Sequence, residues 1–138
     1  MESDILNWKE EYSVGLETVD NQHKKFLGII NELGSCLEKQ ACSVNGHQMF
    51  FSLLHFADTF LLKEKMLVNA VNDLDYSFFR EKHAEFLQKL EDFQAKYDKE
   101  NPREVFSELH LFLKQQFPVF LSCYTPSLVS ILKEHGVN

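Results

Sequence analysis

Cysteine is scarce: Cys36, Cys42 and Cys123 are three, with no C-x-x-C pair among them. An odd count without that spacing is a poor disulfide framework and a poor zinc motif, and it predicts three reduced, mostly buried thiols. Glycine and proline number only five and three, and most fall where an element should end. Positive charge is not in excess either. Fourteen Lys and Arg against 21 Asp and Glu leave −7, which argues against nucleic acid and against an anionic membrane as partner. No run approaches the roughly 18 apolar residues of a membrane span. The opening MESDILNWKEEY is too acidic for a signal peptide. The expected location is the cytoplasm, or the chain is a domain cut from a larger protein. Nucleophile–base pairs and phosphate loops are missing from the pattern, so no enzyme is expected.

What is abundant is phenylalanine, 13 residues of 138, arranged in helical stripes. One stripe reads His23, Phe26, Leu27, Ile30, Gly34, Leu37; a second Leu53, Phe56, Ala57, Phe60, Glu64, Leu67, Val68; a third Phe79, His83, Phe86, Leu87, Leu90. Steps of three and four put each set on one helix face, pointing at a core. A fourth stripe, Val105, Leu109, Phe112, Gln116, Phe120, carries one polar residue as well. Four polar side chains from four helices, His23, Glu64, His83 and Gln116, are therefore expected to converge. That is how helix bundles build metal sites.

The spacing predicts an irregular arm over residues 1–18 with a turn at Gly15, then a first helix from about Asp20 to Glu38. A loop at Ala41–Gly46 leads to a second helix ending near Met66. The connection Asn69–Asp75 follows, with Asp75 or Ser77 as cap of a third helix reaching Tyr97. Asn101-Pro102-Arg103-Glu104 is a capping sequence for the fourth helix, which Pro118 should kink or end near Phe117. Thr125-Pro126 starts a short fifth helix with Leu128, Ile131, Leu132 and His135 in register, closed by Gly136. Strand signals are absent. The expected fold is all-α: an up-down-up-down four-helix bundle with an N-terminal irregular arm and a short C-terminal fifth helix, a single domain over residues 1–138.

The segment Trp8-Lys9-Glu10-Glu11-Tyr12-Ser13-Val14-Gly15-Leu16-Glu17-Thr18-Val19-Asp20-Asn21-Gln22-His23 resembles the opening of the hemerythrins, the bacterial ones in particular, and Asn31-Glu32-Leu33 continues the match. The resemblance implies a four-helix bundle holding two irons that bind dioxygen, ligated by five His and bridged by one Glu and one Asp. Carried across motif by motif, it places ligands at His23, Phe60, Glu64, Phe79, His83, Gln116 and Leu121. A second alignment through His55-Phe56 would put Thr59 at the carboxylate position and His55 on the far side of the helix from Glu64, and is rejected. Phe60, Phe79 and Leu121 have no lone pair to offer, and Gln116 could give only a weak carbonyl oxygen. Two irons roughly 3.5–4 Å apart need bridging carboxylates and several imidazoles, which three strong ligands cannot supply.

Two expectations follow for the surviving trio. In the first it is a polar relic: Glu64 accepts hydrogen bonds from His23 and His83, Gln116 covers the remainder, and Phe60 and Phe79 fill the space of metal and imidazoles. In the second, one iron or zinc ion sits among His23, Glu64 and His83 with weak help from Gln116. The first is favoured, and no diiron cofactor is expected. The function then expected is a non-oxygen-carrying binding or interaction module, monomeric or weakly homo-oligomeric, with a protein partner through residues 126–135. The alternative is a small metal-binding sensor or store. His47, His55, His110 and His135 lie off the core stripes and are expected at or near the surface.

Overall fold

In a computed structural model of the chain, residues 6–38, 46–69, 77–97 and 102–138 are described. They form α1 (Glu17–Glu38), α2 (Gly46–Asn69), α3 (Ser77–Lys96), α4 (Pro102–Ser122) and α5 (Pro126–Glu134), with no strand among the described residues. α1 packs against α2 and α4, and α3 packs against the same two helices. The expected first loop and the caps at Asp75 and Asn101 lie largely outside the described residues.

α1 starts at Glu17, three residues ahead of the expected Asp20. The free donors of a helix's first turn need partners, and the chain supplies them locally and from its far end. Asp20 N–H donates to the Leu16 carbonyl at 2.8 Å, and Thr18 N–H to the carbonyl of Asn138 at 3.0 Å. The arm is tied to the same turn, because the Asp20 carboxylate accepts from Ser13 Oγ at 2.5 Å and from the Val14 N–H at 2.9 Å. Gly15 makes the corner with φ +83°, the left-handed region that favours glycine. The arm also holds a single 3₁₀ turn at Glu10–Tyr12 that the spacing did not predict.

α4 departs from expectation twice. It runs through Pro118 to Ser122 rather than stopping near Phe117. Proline inside a helix removes one hydrogen bond and crowds the preceding turn, but Pro118 is exposed while Phe117 and Phe120 beside it are buried. Core packing on the inner face therefore outweighs the lost bond on the outer one. The buried face is also rotated from the predicted stripe. Phe106, Leu109, Leu113, Phe117 and Phe120 are buried, while Phe112 and Gln116 sit at its edge.

One core cluster joins the four long helices, and its centre is aromatic. The Phe26 ring lies 5.6 Å from Phe56, 5.8 Å from Phe86 and 5.6 Å from Phe120, all tilted rather than stacked. Each buried Phe contributes about 2 kcal/mol by removing apolar surface from water. A second cluster of Leu16, Val19, Cys123, Tyr124, Leu128, Leu132 and Val137 lies under α5. α5 begins as expected: Thr125 accepts from the Leu128 N–H at 3.2 Å, Pro126 follows, and Gly136 at φ +84° ends it. Leu128 and Leu132, the apolar side offered to a partner, are buried against their own chain.

The expectation of three reduced thiols is corrected at Cys36, which is disulfide-bonded. Cys123 is a free thiol, so the partner of Cys36 lies outside the described residues. An odd count can hide one pair, and counting alone does not separate the two cases.

Candidate functional site

Glu64 anchors the polar centre from α2, with 3 % of its surface exposed. Its two oxygens have separate partners. Tyr124 Oη donates to Oε1 at 2.5 Å, and His83 Nε2 from α3 hydrogen-bonds to Oε2. A carboxylate buried this way is satisfied, which removes the large penalty of an unpaired buried charge. Tyr124 stands just past α4, and burial together with the neighbouring carboxylate pushes its phenol well above the usual tyrosine range. It stays protonated and donates.

His23 lies in the same region but makes no hydrogen bond. It is fully buried on α1, and neither ring nitrogen has a partner. Its ring sits 5.7 Å from that of Tyr124, 6.0 Å from Phe60 and 6.1 Å from Phe117. Burial lowers its pKa to about 4, with Asp20 pulling weakly the other way. At neutral pH His23 is therefore an uncharged imidazole in an aromatic box.

The expected cluster changes membership accordingly. Glu64 and His83 come together as predicted, but His23 does not donate to Glu64. Gln116 does not reach it either: it is half-buried beside Ala84, Gln88 and Phe112 on the outer groove between α3 and α4. The rotated face of α4 is the reason. Tyr124 takes the acceptor site assigned to the other two. The signal for it lay in the spacing Phe117, Phe120, Tyr124, steps of three and four on the true inner face, and in the need of a buried tyrosine hydroxyl for a partner.

Phe60 is 1 % exposed and stands beside both imidazoles, 6.0 Å from His23 and 6.1 Å from His83 by ring centres, with Phe120 5.3 Å away. The side chain of Phe79 lies outside the described residues. Leu121 is half-buried at the edge of the inner face of α4, packed against the core and lining the cleft beside the N-terminal arm. Among the described residues no three His, Cys, Asp or Glu side chains are grouped to hold a metal ion. With Phe60 and Leu121 offering no lone pair, His23 unbonded to Glu64, and Gln116 turned to the outer groove, these residues do not fit a pair of irons.

The other candidate groups are inert or peripheral. Cys123 is buried, its Sγ 3.5 Å from the Val119 carbonyl, and burial followed by the charge of Glu64 pushes its thiol up to about 12. It is no nucleophile at neutral pH. His55 and His135 are exposed as expected, and the side chain of His47 lies outside the described residues. His110 is corrected: it is buried, with its ring against Gly34 of α1. In comparisons with known proteins, no family model, no curated protein and no solved structure matches this chain.

Proposed function

We propose that this chain is a hemerythrin-like, up-down-up-down four-helix bundle that serves as a binding or interaction module and carries no dioxygen, and that it is not an enzyme. The opening from Trp8 to His23 and the cyclic adjacency of α1, α2, α3 and α4 support the fold reading. The observation that carries the functional reading is Glu64, whose oxygens are taken by Tyr124 and His83. A carboxylate already bonded within the protein has little to gain from a metal. The test is elemental analysis of the purified chain with its visible spectrum. The expected result is no iron pair and no oxygen-dependent band; two irons per chain with such a band would overturn the reading.

A second reading, one iron or zinc ion near His23, Glu64 and His83, is favoured by the two partnerless nitrogens of His23. Such an ion needs deprotonated imidazole, so its affinity would fall as the pH drops. Melting scans with added Fe(II) and Zn(II) separate the readings, since an ion held by the native state raises the melting temperature by mass action. A rise abolished by Glu64→Ala would support the single ion, and no rise supports the module.

A cytoplasmic location belongs to the proposal. Among the described residues no helix is long and apolar enough to cross a membrane. The disulfide at Cys36 pulls toward an oxidising compartment, because such bonds are rare where glutathione keeps thiols reduced. Counting free thiols in protein taken from cells decides between them: three per chain, the Cys36 disulfide being reduced in the cell, fits the cytoplasm, and one per chain, the disulfide being kept, fits an oxidising compartment.

A further inference from the structure

We propose that the cleft between the N-terminal arm and α5 binds a small organic carboxylate with an aromatic or branched apolar body, its charged end held by Lys133. The cleft has a volume of ≈ 560 Å³, within the range of about 300–1,000 Å³ in which small-molecule sites fall. Its apolar walls are Tyr12 and Val14 from the arm, Leu121 from α4 and Val129 from α5. The proposal rests on this surface alone and is independent of what occupies the core around Glu64.

The charged end follows from α5. Val129, Ser130 and Lys133 are spaced so that they share one side of a helix, and all three line the cleft. Lys133 pairs with no carboxylate among the described residues, and its ammonium lies across the arm at Gly15, where a Cβ would stand 3.2 Å from Nζ. The missing side chain at Gly15 is what leaves that place open. One ammonium and the neighbouring Ser130 hydroxyl supply donors for the two oxygens of a carboxylate. They are too few for a phosphate dianion, whose sites gather more cations and backbone donors. Glu11 also lines the cleft, but its side chain is 71 % exposed and 3.8 Å from Lys9, so its repulsion is screened.

The occupant would also touch the ring of Tyr124, whose hydroxyl is bonded to Glu64. Filling the cleft would then be felt at Tyr124 in the core.

The test titrates the full chain with phenylacetate, following backbone amide shifts and heat of binding, with phenethylamine and inorganic phosphate as comparison probes. Saturable shifts centred on residues 12–14, 124 and 129–133 are expected from phenylacetate alone. Lys133→Gln should weaken it about tenfold, and Val129→Glu, which places a like charge in the cleft, should abolish binding; both positions are at or near the surface of α5. Absence of saturable shifts there would overturn the proposal. So would unchanged affinity in Lys133→Gln, or equal binding of phenethylamine.

Discussion

Two glycines of α1 sit in opposite surroundings and should respond to alanine with opposite signs. Gly28 is exposed and a Cβ there meets nothing within 4 Å, whereas a Cβ on Gly34 would stand 2.7 Å from Nε2 of buried His110. Gly28→Ala removes only the entropic penalty of glycine in a helix and should stabilise by about 0.5–1 kcal/mol. Gly34→Ala gains the same term but forces His110 from its seat, so the net effect should be a loss of about 1–3 kcal/mol. Denaturation midpoints of the two variants check the pair. The hydrogen bond of Tyr124 is tested in the same way. Tyr124→Phe keeps the ring against His23 but takes the donor from Glu64, and should cost about 1–3 kcal/mol. His23 gives a dependence on pH. Its folded-state pKa of about 4 lies below the ordinary 6.5, so between those values the unfolded chain binds more protons and stability falls as pH drops. The loss should approach about 3 kcal/mol by pH 4. His23→Leu should flatten that part of the profile, and a variant that keeps the full slope would show that other groups set it.

At the level of elements, α4 is where local rules and packing disagree. Pro118 leaves a gap in the outer hydrogen-bond ladder, yet the helix continues to Ser122 because Phe117 and Phe120 are locked in the core. Pro118→Ala should restore the bond and stabilise by about 1–3 kcal/mol, read from the melting temperature, since the position is exposed and the helix already formed. The same helix explains what the sequence did and did not disclose. Helix number, the Gly15 corner, the Thr125-Pro126 start of α5 and its end at Gly136 were legible, because each rests on local chemistry that acts within a few residues. The register of α4 was not, because Phe106, Leu109, Phe112, Leu113, Phe117 and Phe120 cover more than one face, and only packing against α1 and α3 selects which of them turns inward. Gln116 therefore stands at the outer groove, and Tyr124 continues the true inner face. Glu64 and His83 were legible as partners because each is a lone polar residue on an otherwise apolar stripe.

For the whole molecule, the question is whether its centre is built as a solid aromatic core or as a chamber. Phe60 decides it, since the ring touches Phe56, His23, His83 and Phe120 and so joins α1, α2, α3 and α4 at one point. In a solid core, an imidazole at that place would add a third buried ring with polar nitrogens and no assigned acceptor, beside a His23 that already lacks one. Phe60→His should then destabilise the metal-free protein by about 2–4 kcal/mol. The substitution also puts an imidazole where the resemblance to hemerythrins implies a ligand, which makes its response to metal informative. If the centre is closed by packing, added Fe(II) or Zn(II) should leave the melting temperature of the variant near that of the variant alone, because Glu64 remains bonded to Tyr124 and His83. If the centre is a chamber, the lost stability should return with metal, by the binding energy such sites contribute to folding. Recovery of the midpoint in Phe60→His would therefore support the metal-binding reading, and a midpoint that stays low would support a centre closed by aromatic packing.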